Sequence, residues 1–297
     1  MKTARSVAAA VAVAALAVAV VIPAGGRVQA RLVHGRATLR GRDDISSNWS
    51  GYVAAGPGST ATTASPAMTY TDVTGQWVEP TAACVPGSPS SVAIWVGLGG
   101  YSESSSDLEQ AGTSADCGPN GSPSYYAWYE LVPANSVTVK ALQIFPGDVI
   151  SSAVVIDGTS VVVQVTDRTR KTRFTRHLTM SSPDQTSAEW IVEAPTQCNG
   201  GTSCRQLALT NFGSIAFGHT YAIGNGISGT ISSPGWIATA LQLVPAGSRY
   251  FGSVNGTDQA TGGPGAGTSP LAAAGKGFTV TWQERPPPSV GRPPVGG

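Results

Sequence analysis

Glycine and proline punctuate this chain so often that no long regular element fits between them. There are 37 glycines and 21 prolines in 297 residues, about a fifth of the chain, set between short runs rich in Val, Ile, Thr, Trp and Tyr. Both residues are unfavourable inside helices, and turn-forming pairs between β-forming runs are the mark of hairpins. The fold class is therefore expected to be all-β. Ten strands are predicted, at 68–78, 92–98, 125–131, 137–145, 149–156, 160–165, 173–178, 188–192, 236–244 and 278–282, with turn signals such as Pro146-Gly147-Asp148 and Asp157-Gly158-Thr159 between them. So many strands without a convincing helix suggest an antiparallel two-sheet β-sandwich.

The ends read differently from the body. Residues 1–30 begin with Lys2 and Arg5, run apolar from Val7 to Ile22 and close on Val28-Gln29-Ala30, the pattern of a secretory signal peptide. Residues 31–45 carry Arg31, Arg36, Arg40 and Arg42 with little apolar periodicity and read as a basic leader or short propiece. Residues 46–283 form the expected sandwich domain, and 284–297 a Pro/Gly-rich disordered tail.

This division changes the charge argument. The whole chain has a formal charge of +1, but 7 of its 18 basic residues and only 2 of its 17 acidic ones precede Ser46. A basic leader is thus joined to an acidic body, and docking of the one on the other is expected. With 12% charged residues there is no basic surface of the kind that neutralises phosphates, so nucleic acid is not an expected partner. The dense run Arg168 to Arg176 alternates with Thr and reads as the solvated face of a hairpin.

Four cysteines in an exported chain most simply form two disulfides, and Cys84–Cys117 with Cys198–Cys204 is the favoured connectivity. No Cys-x-x-Cys occurs, and His34, His177 and His219 are scattered, so no metal and no cofactor is expected. Gly-x-Ser-x-Gly, His-Glu-x-x-His and Asp-Thr-Gly or Asp-Ser-Gly are all absent. With His34 assigned to the leader, His177 and His219 are read as structural.

What remains is carboxylates and amides among aromatic residues. In Ala188-Glu-Trp-Ile-Val-Glu193, strand alternation puts Glu189, Ile191 and Glu193 on one face and Trp190 and Val192 on the other. In Tyr125-Tyr-Ala-Trp-Tyr-Glu130 it puts Tyr126, Trp128 and Glu130 together. A face of aromatics with a carboxylate suits a groove for an extended polymer.

These runs, together with Ser47-Asn-Trp-Ser-Gly-Tyr52, Val73-Thr-Gly-Gln-Trp-Val-Glu-Pro80, Ala93-Ile-Trp-Val-Gly-Leu-Gly-Gly100, Leu108-Glu-Gln-Ala-Gly112 and Pro146-Gly-Asp148, resemble the glutamic peptidases, or eqolisins. The chain is similar to a secreted member of bacterial type. The resemblance implies a concanavalin-like jelly roll, acid endopeptidase activity on a polypeptide substrate, an extracellular location and no membrane association once the signal peptide is removed; a monomer is the default. It carries the catalytic pair onto Gln110 and Glu193, with Glu189 as the second candidate for the acid. It places Trp95, Trp128, Glu130, Tyr126 and Glu189 along the substrate cleft. Two positions depart from the pattern: Gly99 and Tyr126 stand where the family often has Asp.

The chemistry follows from the side chains. Glu193 can take a proton from water and return it to the departing amine. The Gln110 amide can donate to the oxyanion without adding charge. An ordinary Glu titrates near ~4.3, and an acidic working range follows if burial does not raise the carboxyl far. Two rivals share the same residues. A glycoside hydrolase would pair Glu189 with Glu193, but their Cα atoms lie about 13 Å apart along a strand, far from the ~5–5.5 Å carboxyl separation of a retaining pair unless the side chains lean together. A non-catalytic peptide- or glycan-binding module would use the groove alone.

Overall fold

A computed structural model describes residues 31–39, 44–60, 62–199, 203–245, 249–250, 260–261 and 263–285. The expected signal peptide and the tail beyond Arg285 lie outside the described residues. In chain order the strands are β1 (Arg31–Val33), β2 (Ile45–Ser46), β3 (Trp49–Ala55), β4 (Tyr70–Val78), β5 (Ser90–Leu98), β6 (Leu108–Cys117), β7 (Pro123–Val132), β8 (Val137–Gln143), β9 (Val149–Asp157), β10 (Ser160–Asp167) and β11 (Thr172–Thr179). They continue as β12 (Ser187–Glu193), β13 (Thr196–Asn199), β14 (Ser203–Gln206), β15 (Ala208–Leu209), β16 (Ser214–Gly224), β17 (Ile227–Gly229), β18 (Ile237–Leu243), β19 (Arg249–Tyr250), β20 (Ala260–Thr261), β21 (Gly265–Thr268) and β22 (Gly277–Gln283). A single 3-10 turn, Ala273–Gly275, is the helical content of the described residues.

Strand pairing builds two layers. One runs β8-β7-β6-β5-β12-β3-β18 and the other β11-β10-β9-β4-β16-β22-β21. All these pairs are antiparallel, and Leu243 of β18 meets Ala266 of β21, so the layers join along one side. Alternate residues of each strand meet between the layers, where Ile94, Val96, Trp190 and Val192 pack on Trp77, Val154, Val163 and Phe217. Polar contacts also cross the gap: Trp190 Nε1 donates to the Thr74 carbonyl at 2.8 Å, and Trp77 Nε1 to Thr113 Oγ1 at 3.1 Å.

The ten predicted strands form as β4, β5, β7 to β12, β18 and β22. Gly158, with φ 58°, opens the two-residue turn between β9 and β10, as the Asp-Gly signal indicates. Three long strands were not predicted: β3, β6 and β16. Strand β16 runs through His219, with a register shift between Gly218 and Tyr221 and φ 50° at His219. A β-bulge absorbs the extra residues without ending the strand. The basic run lies in the β10–β11 hairpin with its side chains mostly exposed, although Arg170 reaches back to the buried Asp148 and Asp167.

Both expected disulfides are present. Cys84–Cys117 ties the loop before β5 to the end of β6, and Cys198–Cys204 staples the β13–β14 hairpin. On the open edge of that hairpin β1 adds as a third antiparallel strand, with Leu32 opposite Gln197 and Val33 opposite Thr196.

Candidate active site

The register of β7, β6, β5 and β12 lays side chains in rows on the face turned away from the second layer. Glu130, Gln110, Gly97 and Glu189 form one row; Trp128, Gly112, Trp95 and Ile191 the next; Tyr126, Ser114, Ala93 and Glu193 the third. Four strands contribute to each row, so the chain brings together residues that are up to 100 positions apart, as Ala93 and Glu193 are. The glycines matter here. A Cβ on Gly112 would stand 2.0 Å from the Ile94 carbonyl oxygen and 2.7 Å from Trp95, so only glycine lets β6 lie this close beneath the indole.

Glu193 is fully buried among donors. Trp95 Nε1 donates to its Oε2 at 2.9 Å, and Trp49 packs edge-on against Trp95 with ring centres 4.9 Å apart. Burial pushes the Glu193 carboxyl well above the usual carboxylate range, and the neighbouring charge of Glu130 adds to this; the hydrogen bonds from Trp95, from the Gly35 N–H and from Asn48 work the other way.

Residues 31–39 run through this cleft. Gln110 Nε2 donates to the carbonyl oxygen of His34 at 2.6 Å, and the Gly35 N–H donates to Glu193 Oε1 at 3.1 Å. One peptide unit therefore spans the two residues assigned as the catalytic pair. The His34 N–H donates to Glu130 Oε2 at 2.9 Å, and its ring stacks on Trp128 at 3.7 Å between centres. Trp49 Nε1 donates to the Gly35 carbonyl at 3.0 Å, and Asn48 holds both Arg36 and Thr38 through their backbone. These contacts are made by main-chain groups and an imidazole. Arg36, the one leader arginine whose side chain is described, is exposed.

Comparison with known proteins bears on what such a cleft is for. The peptidase A4 family profile matches residues 47–250. The chain belongs to the peptidase A4 family. It is 27% identical to aspergillopepsin-2 of Aspergillus niger over 207 residues, 62% of this chain and 67% of that one. Among solved structures, scytalido-glutamic peptidase with a peptide-based transition-state analogue aligns with a TM-score of 0.59 at 20% identity, over 80% of this chain and 98% of that one. SCP-B, an eqolisin in complex with the tripeptide Ala-Ile-His, aligns with a TM-score of 0.56 at 20% identity and the same coverage. This A4 member is accordingly a glutamic-type endopeptidase, a hydrolase of peptide bonds.

The remaining sequence-assigned residues sort by location. Trp95, Trp128 and Glu130 meet the 31–39 segment or Glu193 directly. Tyr126 lies farther along, donating to Asp116 at 2.9 Å. Glu189 is in the row of Gln110, but it is buried away from Glu193; desolvation raises its carboxyl, and the charges of Asp184 and Glu109 raise it further. Gly99 has φ 83°, and a Cβ there would meet Asp184 at 2.5 Å. Asp184 accepts from the Gly100 N–H at 3.2 Å and from Ser105. Sequence reading missed Asp184, which stands in a loop, and Asn48 and Trp49, which were visible only as parts of the Ser-Asn-Trp-Ser-Gly-Tyr run.

Proposed function

We propose that this chain is a secreted acid endopeptidase in which Glu193 serves first as general base and then as general acid, while Gln110 stabilises the oxyanion. The sandwich is read as a concanavalin-like jelly roll, the substrate as a polypeptide and the working form as a monomer released from its signal peptide. The observation that carries this reading is the single peptide unit whose carbonyl faces Gln110 Nε2 at 2.6 Å and whose N–H faces Glu193 Oε1 at 3.1 Å. Hydrolysis of an amide needs a donor at the developing oxyanion and a proton carrier at the leaving nitrogen. The two residues sit at those two atoms. Trp128, Trp95 and Glu130 then serve as cleft walls, Glu130 receiving a backbone N–H of the bound chain. Tyr126 and Glu189 take outer positions, consistent with subsites rather than chemistry.

The glycosidase alternative needs Glu189 and Glu193 to act across one bond. Glu189 shares its surroundings with Asp184 and Glu109, and Glu193 with Glu130, which disfavours that pairing. The test offers the protein an unfolded polypeptide and a β-glucan across pH, beside Glu193→Gln and Gln110→Ala. Peptide cleavage should be lost in the first variant and fall about 10²–10³-fold in the second. Full activity in either variant removes the assignment, and turnover of the glucan alone selects the rival.

A further inference from the structure

We infer that the His34–Gly35 bond is the first substrate of this enzyme, cut within its own chain by Glu193 and Gln110. The inference rests on the catalytic roles proposed above and adds the bond, the register and the product. Among the described residues, this is the peptide unit hydrogen-bonded to both Gln110 and Glu193.

The register is held on both sides of the bond. Upstream, Arg31–Val33 pairs as β1 along β13, three residues in an antiparallel ladder on a hairpin closed by the Cys198–Cys204 disulfide. Strand addition of this kind fixes the backbone and so fixes which peptide unit comes next. Next comes His34, with its N–H on Glu130, its ring on Trp128 and its carbonyl on Gln110. Downstream, Trp49 holds the Gly35 carbonyl, Asn48 brackets Arg36 and Thr38, and the Ala37 N–H donates to the Gly100 carbonyl at 3.1 Å. Grip on both flanks, with the free choice of register removed, is the arrangement that converts a bimolecular cleavage into an intramolecular one.

The step balances with one water. Glu193 takes a proton from the water as its oxygen bonds to the His34 carbonyl carbon, and the oxyanion is held by Gln110. The carbon–nitrogen bond then breaks, the proton on Glu193 passes to the Gly35 nitrogen, and Glu193 is again a carboxylate. The products are a fragment ending in a His34 carboxylate and a body beginning at Gly35. Gly35 has no atom within 4 Å of where a Cβ would be, so the bond is not sealed from the side of that residue. The new carboxylate at His34 lies beside Glu130 and Glu193, and like charge favours departure of the fragment.

The test follows the full chain in acid by intact mass and N-terminal sequencing, with an unfolded polypeptide substrate assayed in the same samples. A new N-terminus at Gly35 is expected, appearing with a first-order rate that does not change over a 100-fold range of protein concentration. Glu193→Gln should remove the cut. Gly35→Pro, which alters only the segment outside the two layers, takes away the N–H facing Glu193 and should remove this cut as well. Turnover of the added substrate with no terminus at Gly35 overturns the inference and leaves the peptidase reading standing. Failure of both reactions in folded protein overturns both. A concentration-dependent rate, or the same terminus in the Glu193→Gln or Gly35→Pro chain, overturns self-cleavage.

Discussion

Trp95 donates its indole N–H to Oε2 of Glu193 at 2.9 Å, from the strand next to the one that carries the acid. This bond stabilises the carboxylate form, and burial opposes it. Replacing Trp95 with Phe keeps an aromatic ring and removes the donor. The Glu193 carboxyl then rises further, and the acid limb of the kcat/KM profile moves to higher pH. A hydrogen bond to a charged group contributes about 1.5–3 kcal/mol, so activity below the limb should fall roughly 10- to 100-fold. A profile with the limb unmoved would exclude Trp95 as the group that tunes Glu193.

Glu130 acts on the same carboxyl with the opposite sign. Its charge is the second cause, after desolvation, of the raised Glu193 titration. Glu130→Gln removes the charge and keeps an oxygen able to accept the backbone N–H of a bound chain. The Glu193 carboxyl should therefore drop, and the acid limb should shift to lower pH with little change in KM. Profiles of Glu130→Gln and Trp95→Phe that move in the same direction would contradict this account of the site.

Much of this was legible in the sequence, and the unread part has physical causes. Strands β9 and β10 alternate buried and outward residues, and a period of two is what a sequence shows best. Strand β6 reads Leu-Glu-Gln-Ala-Gly-Thr-Ser-Ala-Asp-Cys, with few β-forming residues, and nearly every position is buried between β5 and β7. Polar side chains are mostly exposed in folded proteins, so a buried row of Glu109, Gln110, Thr113 and Ser114 escapes propensity reasoning. The catalytic assignment came through that strand only because its motif was recognisable. His34 was set aside as part of a leader, since nothing local in a sequence reports a contact 76 residues away.

The same strand supplies a stability test. Gly112→Ala would push a Cβ to 2.0 Å from the Ile94 carbonyl oxygen, and that oxygen is backbone. Relief requires β5 and β6 to separate where Trp95 and Trp128 flank the site. Overpacking typically costs about 1–3 kcal/mol and more where backbone must move, so denaturant unfolding should show a loss of ~3 kcal/mol or more. An Ala variant as stable as the parent would show that the close approach of these strands is not required.

The two disulfides should differ in what their loss does. Cys84–Cys117 closes a separation of 33 residues and ties into β6, whereas Cys198–Cys204 closes 6 residues in a peripheral hairpin. Loop-closure entropy gives about 3.7 kcal/mol for the first and about 2.2 kcal/mol for the second. Paired Cys→Ala substitutions should lower global stability more at Cys84 and Cys117. Loss of the shorter bridge should chiefly loosen β13 and hence the pairing of β1, seen as faster hydrogen exchange at 31–33. Equal losses of global stability would contradict this division.

His34 makes the hold of its segment depend on pH. Burial pushes its imidazole down to about 3 in the docked form, from an ordinary value near 6.5. The groups facing it are Glu130 of β7 and Glu193 of β12, with neutral Gln110 and Trp128, and burial of Glu193 toward its uncharged form limits any compensating attraction. At His34 the docked form binds fewer protons than the freed one, so this group favours the freed form in acid. Docking is at full strength above pH ~6.5 and weakens about tenfold for each unit down to pH ~3. The cut fragment should therefore leave most readily in acid. In the uncut Glu193→Gln chain, hydrogen-exchange protection of the His34 and Gly35 N–H groups should fall as pH drops from 7 to 4. His34→Phe, whose ring stacks without titrating, should flatten that dependence, and equal slopes in the two chains would sink the idea.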